Sequence, residues 1–166
     1  MITILNKENI PELNLLSANN DDSKDLSYWP LCFEQQEQGL RTIFGWVEGG
    51  KIVGYAQFNR APKYQPFSSA AIPEIQDVRV DRGFQRQGIA TNLLYVCEAL
   101  ALEEGATMIG IGVGLDVRYG KAQRLYVSLG YIPDGEGVNY DRVSCRAGDT
   151  ITLDDDVSLM LIKPLI

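Results

Sequence analysis

From Ala90 onward the apolar positions fall at Leu93, Leu94, Cys97, Leu100 and Ala101. That spacing of three and four gathers one face of a helix, and the pattern predicts a helix running to about Gly105. "KAQRLYVSLG" repeats the pattern on a smaller scale, with Ala122, Leu125, Tyr126 and Leu129 on one side and Gly130 as the stop. "NIPELNLLSA", with Pro11 in its first turn, and "PLCFEQQEQGL", with Gly39 as its C-terminal stop, predict two earlier helices. "RTIFGWVEGGKIVGYAQFNR" reads as a β-hairpin about Gly49-Gly50, a pair tolerant of positive φ. "EIQDVRV" and "TMIGIGVG" read as strands, "YIP" as the start of another, and "VSLMLIKPL" as a closing strand. "ANNDDSKD" and the proline-rich "APKYQPFSSAAIP" read as loops, and "GVNYDRVSCRAGDTITLDDD" as a small hairpin extension.

The predicted order is helices, hairpin, strand, helix, strand, helix, strand, strand. This describes a mixed α/β sheet with one strand-helix-strand crossover at its centre. The length of 166 residues suits one domain spanning 1–166, with the hairpin extension around 134–156 as an embellishment.

Between the strand "EIQDVRV" and the long helix lies "DRGFQRQGIAT", Asp81 to Thr91. Glycines between a strand and a helix expose backbone N–H groups, and the helix start adds unpaired N–H groups and a positive dipole end. Together they suit a phosphate. The stretch lacks the spacing of a P-loop and of a dinucleotide fingerprint. Its own pattern is Gln85, Gly88 and Ala90 in the spacing Gln-x-x-Gly-x-Ala. The later "AQRLYVSLGY", Ala122 to Tyr131, carries Ala-x-x-Leu-Tyr-x-x-x-Gly-Tyr. In these two elements, and in the strand and helix order between them, the chain resembles the GCN5-related N-acetyltransferase (GNAT) superfamily. The resemblance spans Arg41 to Tyr131 well and is looser outside it.

The resemblance implies a mostly antiparallel sheet of about seven strands flanked by about four helices. It implies acetyl-CoA as cosubstrate, no metal, and transfer of the acetyl group to an amine, either a small molecule or a peptide. A non-catalytic domain of the same fold that binds or senses acyl-CoA is the alternative. Carried over residue by residue, Gln85, Arg86, Gln87, Gly88, Ile89, Ala90 and Thr91 would wrap the pyrophosphate. Val78 and Val80 would offer strand backbone to the pantetheine arm and the acetyl carbonyl. Tyr126 would protonate the departing thiolate. Arg86 stands where many members have glycine, so it would add a side-chain grip on phosphate. Tyr119 replaces an asparagine that often contacts CoA, and that contact is not carried over. For the base, Glu74 falls where the histone-acetylating branch keeps a glutamate. Asp77 is the other candidate, and deprotonation through water stays open. Strand alternation puts Glu74, Gln76 and Val78 on one face and Ile75, Asp77 and Arg79 on the other, unless a bulge changes the parity.

Composition narrows the chemistry. The chain has no histidine, which removes Ser-His-Asp and Cys-His nucleophile pairs. Cys32, Cys97 and Cys145 are far apart, with neither a disulfide framework nor a zinc spacing among them; Cys97 lies on the apolar stripe of its helix. A tyrosine, ordinarily of pKa about 10, keeps its proton at neutral pH and can give it to a thiolate. The net charge of −7 argues against nucleic acid as a partner. It also makes Arg82 and Arg86 a local exception that would attract an anion. "GIGVG", Gly110 to Gly114, reads as a strand making room for CoA or splaying from its neighbour. No apolar run of about 18 residues spans a membrane. The N-terminus has neither a basic start nor a cleavage site, so a cytoplasmic protein is expected. Dimers are common in the family, and Asp141 to Leu153 is a candidate surface for a homodimer.

Overall fold

The computed structural model describes residues 1–166. In chain order it contains β1 (Ile2–Ile4), α1 (Ile10–Asn19), α2 (Tyr28–Glu37), β2 (Arg41–Glu48), β3 (Lys51–Asn59), α3 (Gln65–Ser69), β4 (Glu74–Val80), α4 (Ile89–Glu103), β5 (Met108–Gly114), α5 (Gly120–Ser128), β6 (Ile132–Tyr140), β7 (Val143–Ser144) and β8 (Val157–Pro164). The strands form one sheet in the order β1-β2-β3-β4-β5-β8-β6-β7. The mixed α/β class and the mostly antiparallel sheet are as expected, with eight strands and five helices rather than seven and four. The extra strand is β1, which pairs with β2 through Ile2↔Trp46 and Ile4↔Phe44. The extra helix is α3, inside the segment expected to be a loop. Pro66 sits in its first turn, where a missing N–H costs nothing, so the prolines there start a helix as well as interrupting the chain.

By internal contacts the chain divides into two compact units. One is Met1–Ala61 with Ile75–Leu100; the other is Pro62–Glu74 with Ala101–Ile166. In the first unit Gly49 and Gly50 adopt φ +55 and +78, the left-handed pair that matches the twist of a tight hairpin. α1 packs on β3 and α2 on β2. Leu5, Leu13, Leu16, Trp29, Phe33, Ile43 and Tyr55 close the core between them. Trp29 meets Tyr55 edge-on at 5.0 Å. Burying each of these large side chains stabilises the fold by roughly 1.5–3 kcal/mol. Gly54 of β3 lies where a Cβ would stand 3.1 Å from both Arg79 O and Ile89 Cγ2. Its missing side chain lets the start of α4 settle onto the strand.

In the second unit β5 and β8 pair from Met108↔Pro164 to Gly114↔Ser158. β8 pairs with β6, and the register jumps between Pro133 and Val138. Asp134 to Gly137 therefore bulge out of a strand that the sequence marked only at its start. Gly110, Gly112 and Gly114 share one face of β5, and the protein's own side chains fill the space they leave. A Cβ on Gly110 would fall 2.1 Å from the Phe67 ring, on Gly112 2.9 Å from Met160 Sδ, and on Gly114 2.3 Å from the Tyr119 ring. The room that "GIGVG" makes is thus taken by Phe67, Met160 and Tyr119. Tyr64, Phe67 and Met160 form the local core.

Candidate active site

Asp81 closes β4 and shapes the loop that leads to α4. Its Oδ1 accepts from Gly83 N at 3.1 Å, and its carbonyl accepts from Phe84 N at 2.8 Å, winding Arg82–Phe84 into one 3-10 turn. The Gln85 amide folds back to donate to Val80 O at 3.2 Å. Arg86 and Gly88 then take φ +62 and +78. Gln85 to Gly88 are exposed, whereas Ile89 is buried and anchors the start of the 15-residue α4. A Cβ on Gly88 would meet nothing nearer than Asn92 Nδ2 at 3.7 Å. Backbone conformation demands glycine there, and the outer side is open. The left-handed φ at Arg86 also gives a physical reason for the glycine common at this position in the family it resembles.

The two arginines of the stretch differ. Arg82 is ion-paired with Asp21, and its N–H donates to Asn20 Oδ1 at 3.2 Å. Arg86 is exposed, with no ion-pair partner. The local positive charge expected of both therefore rests on Arg86 and the helix start.

Along β4, alternation breaks at Asp77, whose φ is +53. Adjacent side chains consequently reach one network. Arg41 Nη1 donates to Gln76 Oε1 and to Gln57 Oε1, both at 2.8 Å. Gln57 Nε2 donates to the Tyr28 hydroxyl at 2.8 Å and to Asp77 Oδ2 at 3.2 Å. Tyr28 in turn donates to Asp77 Oδ2 at 2.7 Å. Lys24 Nζ lies 3.2 Å from Asp77 Oδ1 and 2.9 Å from Asp22, and Arg79 holds Asp22 at 2.6 Å. Burial pushes the Tyr28 hydroxyl far above the usual tyrosine range, and Asp77 adds to the effect. Burial alone would lower the Lys24 ammonium, but Asp77 and Asp22 overcome it and hold Lys24 above the ordinary lysine value. Val78 and Val80 follow on the same strand, half-buried.

Glu74 and Tyr126 belong to the second unit. Glu74 is 2% exposed, and Arg142 Nη1 reaches its two carboxylate oxygens at 3.2 and 3.1 Å. Tyr126 is the buried residue of α5, its ring 6.1 Å from that of Tyr131. Gln123 ties α5 to the end of β5 by donating to Gly114 O at 2.8 Å. The Tyr119 hydroxyl donates to Asp155 at 2.8 Å, so this residue serves the protein's own framework. Arg118 bonds Asp116 and Asp155 and holds the Asp116 carboxyl below the usual range. Cys97 is buried in the core, and burial pushes its thiol up.

The structure thus gathers Val78, Val80 and Gln85 to Thr91 around the strand-to-helix junction of the first unit. It gives Asp77 to a network within that unit, and Glu74 to Arg142 in the second. Sequence reasoning did not find Lys24, Gln57 or Arg142. Their partners Asp77 and Glu74 stood out, but a partner 53 residues away, as Lys24 is from Asp77, leaves no local pattern.

The model of the acetyltransferase (GNAT) family matches residues 8–131. The chain belongs to that family. No curated protein matches it significantly. Among solved structures, this GNAT chain resembles an N-acetyltransferase from Staphylococcus aureus Mu50 at 18% identity and TM-score 0.74, covering 100% of this chain and 98% of that one. It also resembles the ribosomal-protein-S18-alanine N-acetyltransferase from Escherichia coli, at 15% identity and TM-score 0.73, covering 99% and 93%. A third likeness is to Chaetomium thermophilum Naa20, solved with a bisubstrate analogue, at 19% identity and TM-score 0.71, covering 99% and 86%. At these identities the likenesses concern the GNAT fold, and the chemistry is argued from this chain's residues.

Proposed function

We propose that this GNAT acetyltransferase moves an acetyl group from acetyl-CoA to an amine by direct attack in a ternary complex. The observation that carries the reading is the exposed, left-handed stretch Arg86–Gly88 opening α4. It presents an unpaired guanidinium and a helix N-terminus where an anionic pyrophosphate gains most. The backbone of Val78 and Val80 supplies an N–H to the developing oxyanion. The amine nitrogen attacks the thioester carbon, and its proton passes to Glu74. The C–S bond then breaks, and Tyr126 gives its proton to the thiolate. Asp77 is the other candidate for the base, its carboxylate held by Tyr28, Gln57 and Lys24 as that of Glu74 is by Arg142.

The acceptor is an amine of a small molecule or of a peptide. The S18-alanine enzyme from Escherichia coli, by its name an acetylator of a protein alanine, favours including peptide N-termini among the acceptors tried. The net charge of −7 favours cationic ones. The test is thiol release from acetyl-CoA with small amines, amino-acid derivatives, aminoglycosides, lysine peptides and peptide N-termini. Turnover with one class is expected, with Tyr126→Phe slower by about 100-fold. An unchanged rate in Tyr126→Phe would remove the assigned acid. Acetyl-CoA binding without turnover across the panel is the result expected of a sensing domain instead.

A further inference from the structure

Asn20 caps the end of α1 and is 7% exposed although its side chain is polar. Both ends of its amide are in use. Nδ2 donates to Leu16 O at 2.8 Å, meeting one of the carbonyls that a helix end leaves open. Oδ1 accepts from Arg82 N at 3.2 Å, 62 residues along the chain. Arg82 opens the 3-10 turn that leads into the loop before α4. Asp81 meets the other two N–H groups of that turn, Gly83 N through its carboxylate and Phe84 N through its carbonyl. These local bonds give the turn its shape without fixing where it sits on the molecule. Longer-range bonds do that. Asp81 N donates to Val53 O of β3 at 2.8 Å, and one residue further on Asn20 holds Arg82 N. Beyond the turn, Gln85 to Gly88 are exposed until Ile89 returns to the core. The support behind Asn20 is firm. Leu13 and Leu16 of α1 lie in the core, Glu12 accepts from Ile52 N at 2.7 Å, and Ser17 Oγ meets the Tyr55 hydroxyl at 3.3 Å. The neighbouring ion pair of Asp21 with Arg82 joins largely exposed side chains, where such a pair contributes little.

We infer that Asn20 is a positioning residue for acetyl-CoA, through which the end of α1 fixes the start of the pyrophosphate loop. A ligand that meets a loop already in place does not bear the cost of ordering it. The amide of Asn20 is taken up by Leu16 and Arg82, so its effect falls on acetyl-CoA binding and not on the chemical step. The inference rests on the reading of Arg86–Gly88 as the pyrophosphate site.

The experiment is a double-mutant cycle read by calorimetric titration with acetyl-CoA. Asn20→Ala removes the acceptor. Arg82→Pro removes the donor; Asp81 before it has φ −51 and ψ 139, the extended backbone that a residue preceding proline prefers. Arg82→Ala controls for the lost guanidinium. Asn20→Ala should weaken binding about 3- to 10-fold, with kcat at saturating acetyl-CoA within about twofold of wild type. In the Arg82→Pro background the same substitution should change affinity by less than about twofold. Ser17→Ala, which loosens α1 away from the loop, should lower the unfolding midpoint and leave affinity as it is. Wild-type affinity in Asn20→Ala, or an equal loss in the Arg82→Pro background, would overturn the inference. Amide hydrogen exchange in the unliganded protein reads the hold itself. Arg82 N–H should exchange several-fold faster in Asn20→Ala, and unchanged exchange would also overturn the inference. A wild type that binds no acetyl-CoA, with faster Arg82 exchange in Asn20→Ala, would remove the pyrophosphate reading and keep Asn20 as the residue that fixes the turn, so the two readings fail separately.

Discussion

The Tyr28 hydroxyl donates to Asp77 Oδ2 at 2.7 Å, and Gln57 donates to the same oxygen at 3.2 Å. With Lys24 on Oδ1, the carboxylate joins α2, β3, β4 and the segment between α1 and α2. A residue singled out as a possible base therefore organises the structure. Asp77→Asn puts an amide donor where the network needs an acceptor, and it should destabilise the protein by about 2–4 kcal/mol. The pH dependence of acetyl transfer in the surviving folded protein should be unchanged. Urea denaturation and a pH–rate profile check both halves. A wild-type unfolding midpoint would show that the network contributes little.

Lys24 gives a pH-dependent counterpart. Its folded-state pKa is raised, so its contribution is fully present below the unfolded value of about 10.4 and is lost as pH climbs through the folded value. Lys24→Met should cost about 1–3 kcal/mol from pH 7 to 9, between the values for exposed and buried pairs. The gap to wild type should close above about pH 10.5. Denaturation series at several pH values measure it; a gap that widens with alkali would reverse the assignment.

Arg86 sets side-chain charge against backbone comfort. At φ +62 a non-glycine residue costs about 1–2 kcal/mol, partly offset by the entropy that glycine loses on folding. Arg86→Gly should leave the unliganded protein as stable as wild type or up to about 1 kcal/mol more stable. Its acetyl-CoA affinity should fall by roughly 10-fold or more if the guanidinium meets phosphate. Arg86→Ala should lose the affinity without the gain in stability. Calorimetric titration with thermal unfolding of both variants separates the two effects, and wild-type affinity in both would show that the loop binds by backbone alone.

Gly83 and Gly110 illustrate how differently glycines are used. Gly83 would tolerate a Cβ, whose nearest contact is Asp81 Oδ1 at 3.9 Å, whereas at Gly110 the Phe67 ring lies 2.1 Å from one. Gly83→Ala should stay within about 0.5 kcal/mol of wild type. Gly110→Ala should cost about 1–3 kcal/mol by overpacking, and Phe67→Leu in that background should recover part of it. Additive costs in the double variant would mean that the ring and the glycine are not coupled.

These contrasts also show how far the sequence could be read. The hairpin was legible because Gly49-Gly50 interrupts two apolar-rich runs, and α4 because its stripe repeats from Ala90 to Ala101. The pyrophosphate loop was legible as spacing, though not the pairing of Arg82 with Asp21, which depends on the chain folding back 61 residues. β1 is three residues long, too short for a period to show. The bulge from Asp134 to Gly137 hid β6 because two glycines and two acids read as a turn. Arg142 carried no signal at all, since the Asp-Arg pair lacks the glycine that usually marks a two-residue turn.

The central claim, that this chain takes acetyl-CoA at the junction of β4 and α4, is tested most directly by thermal unfolding with and without about 1 mM acetyl-CoA. At a ligand excess of about 100-fold over the dissociation constant, binding adds about 2.7 kcal/mol. For a chain of this size the midpoint should then rise by about 5–10 °C, and Gly88→Val should abolish the rise. An unmoved wild-type midpoint at that concentration would contradict the account.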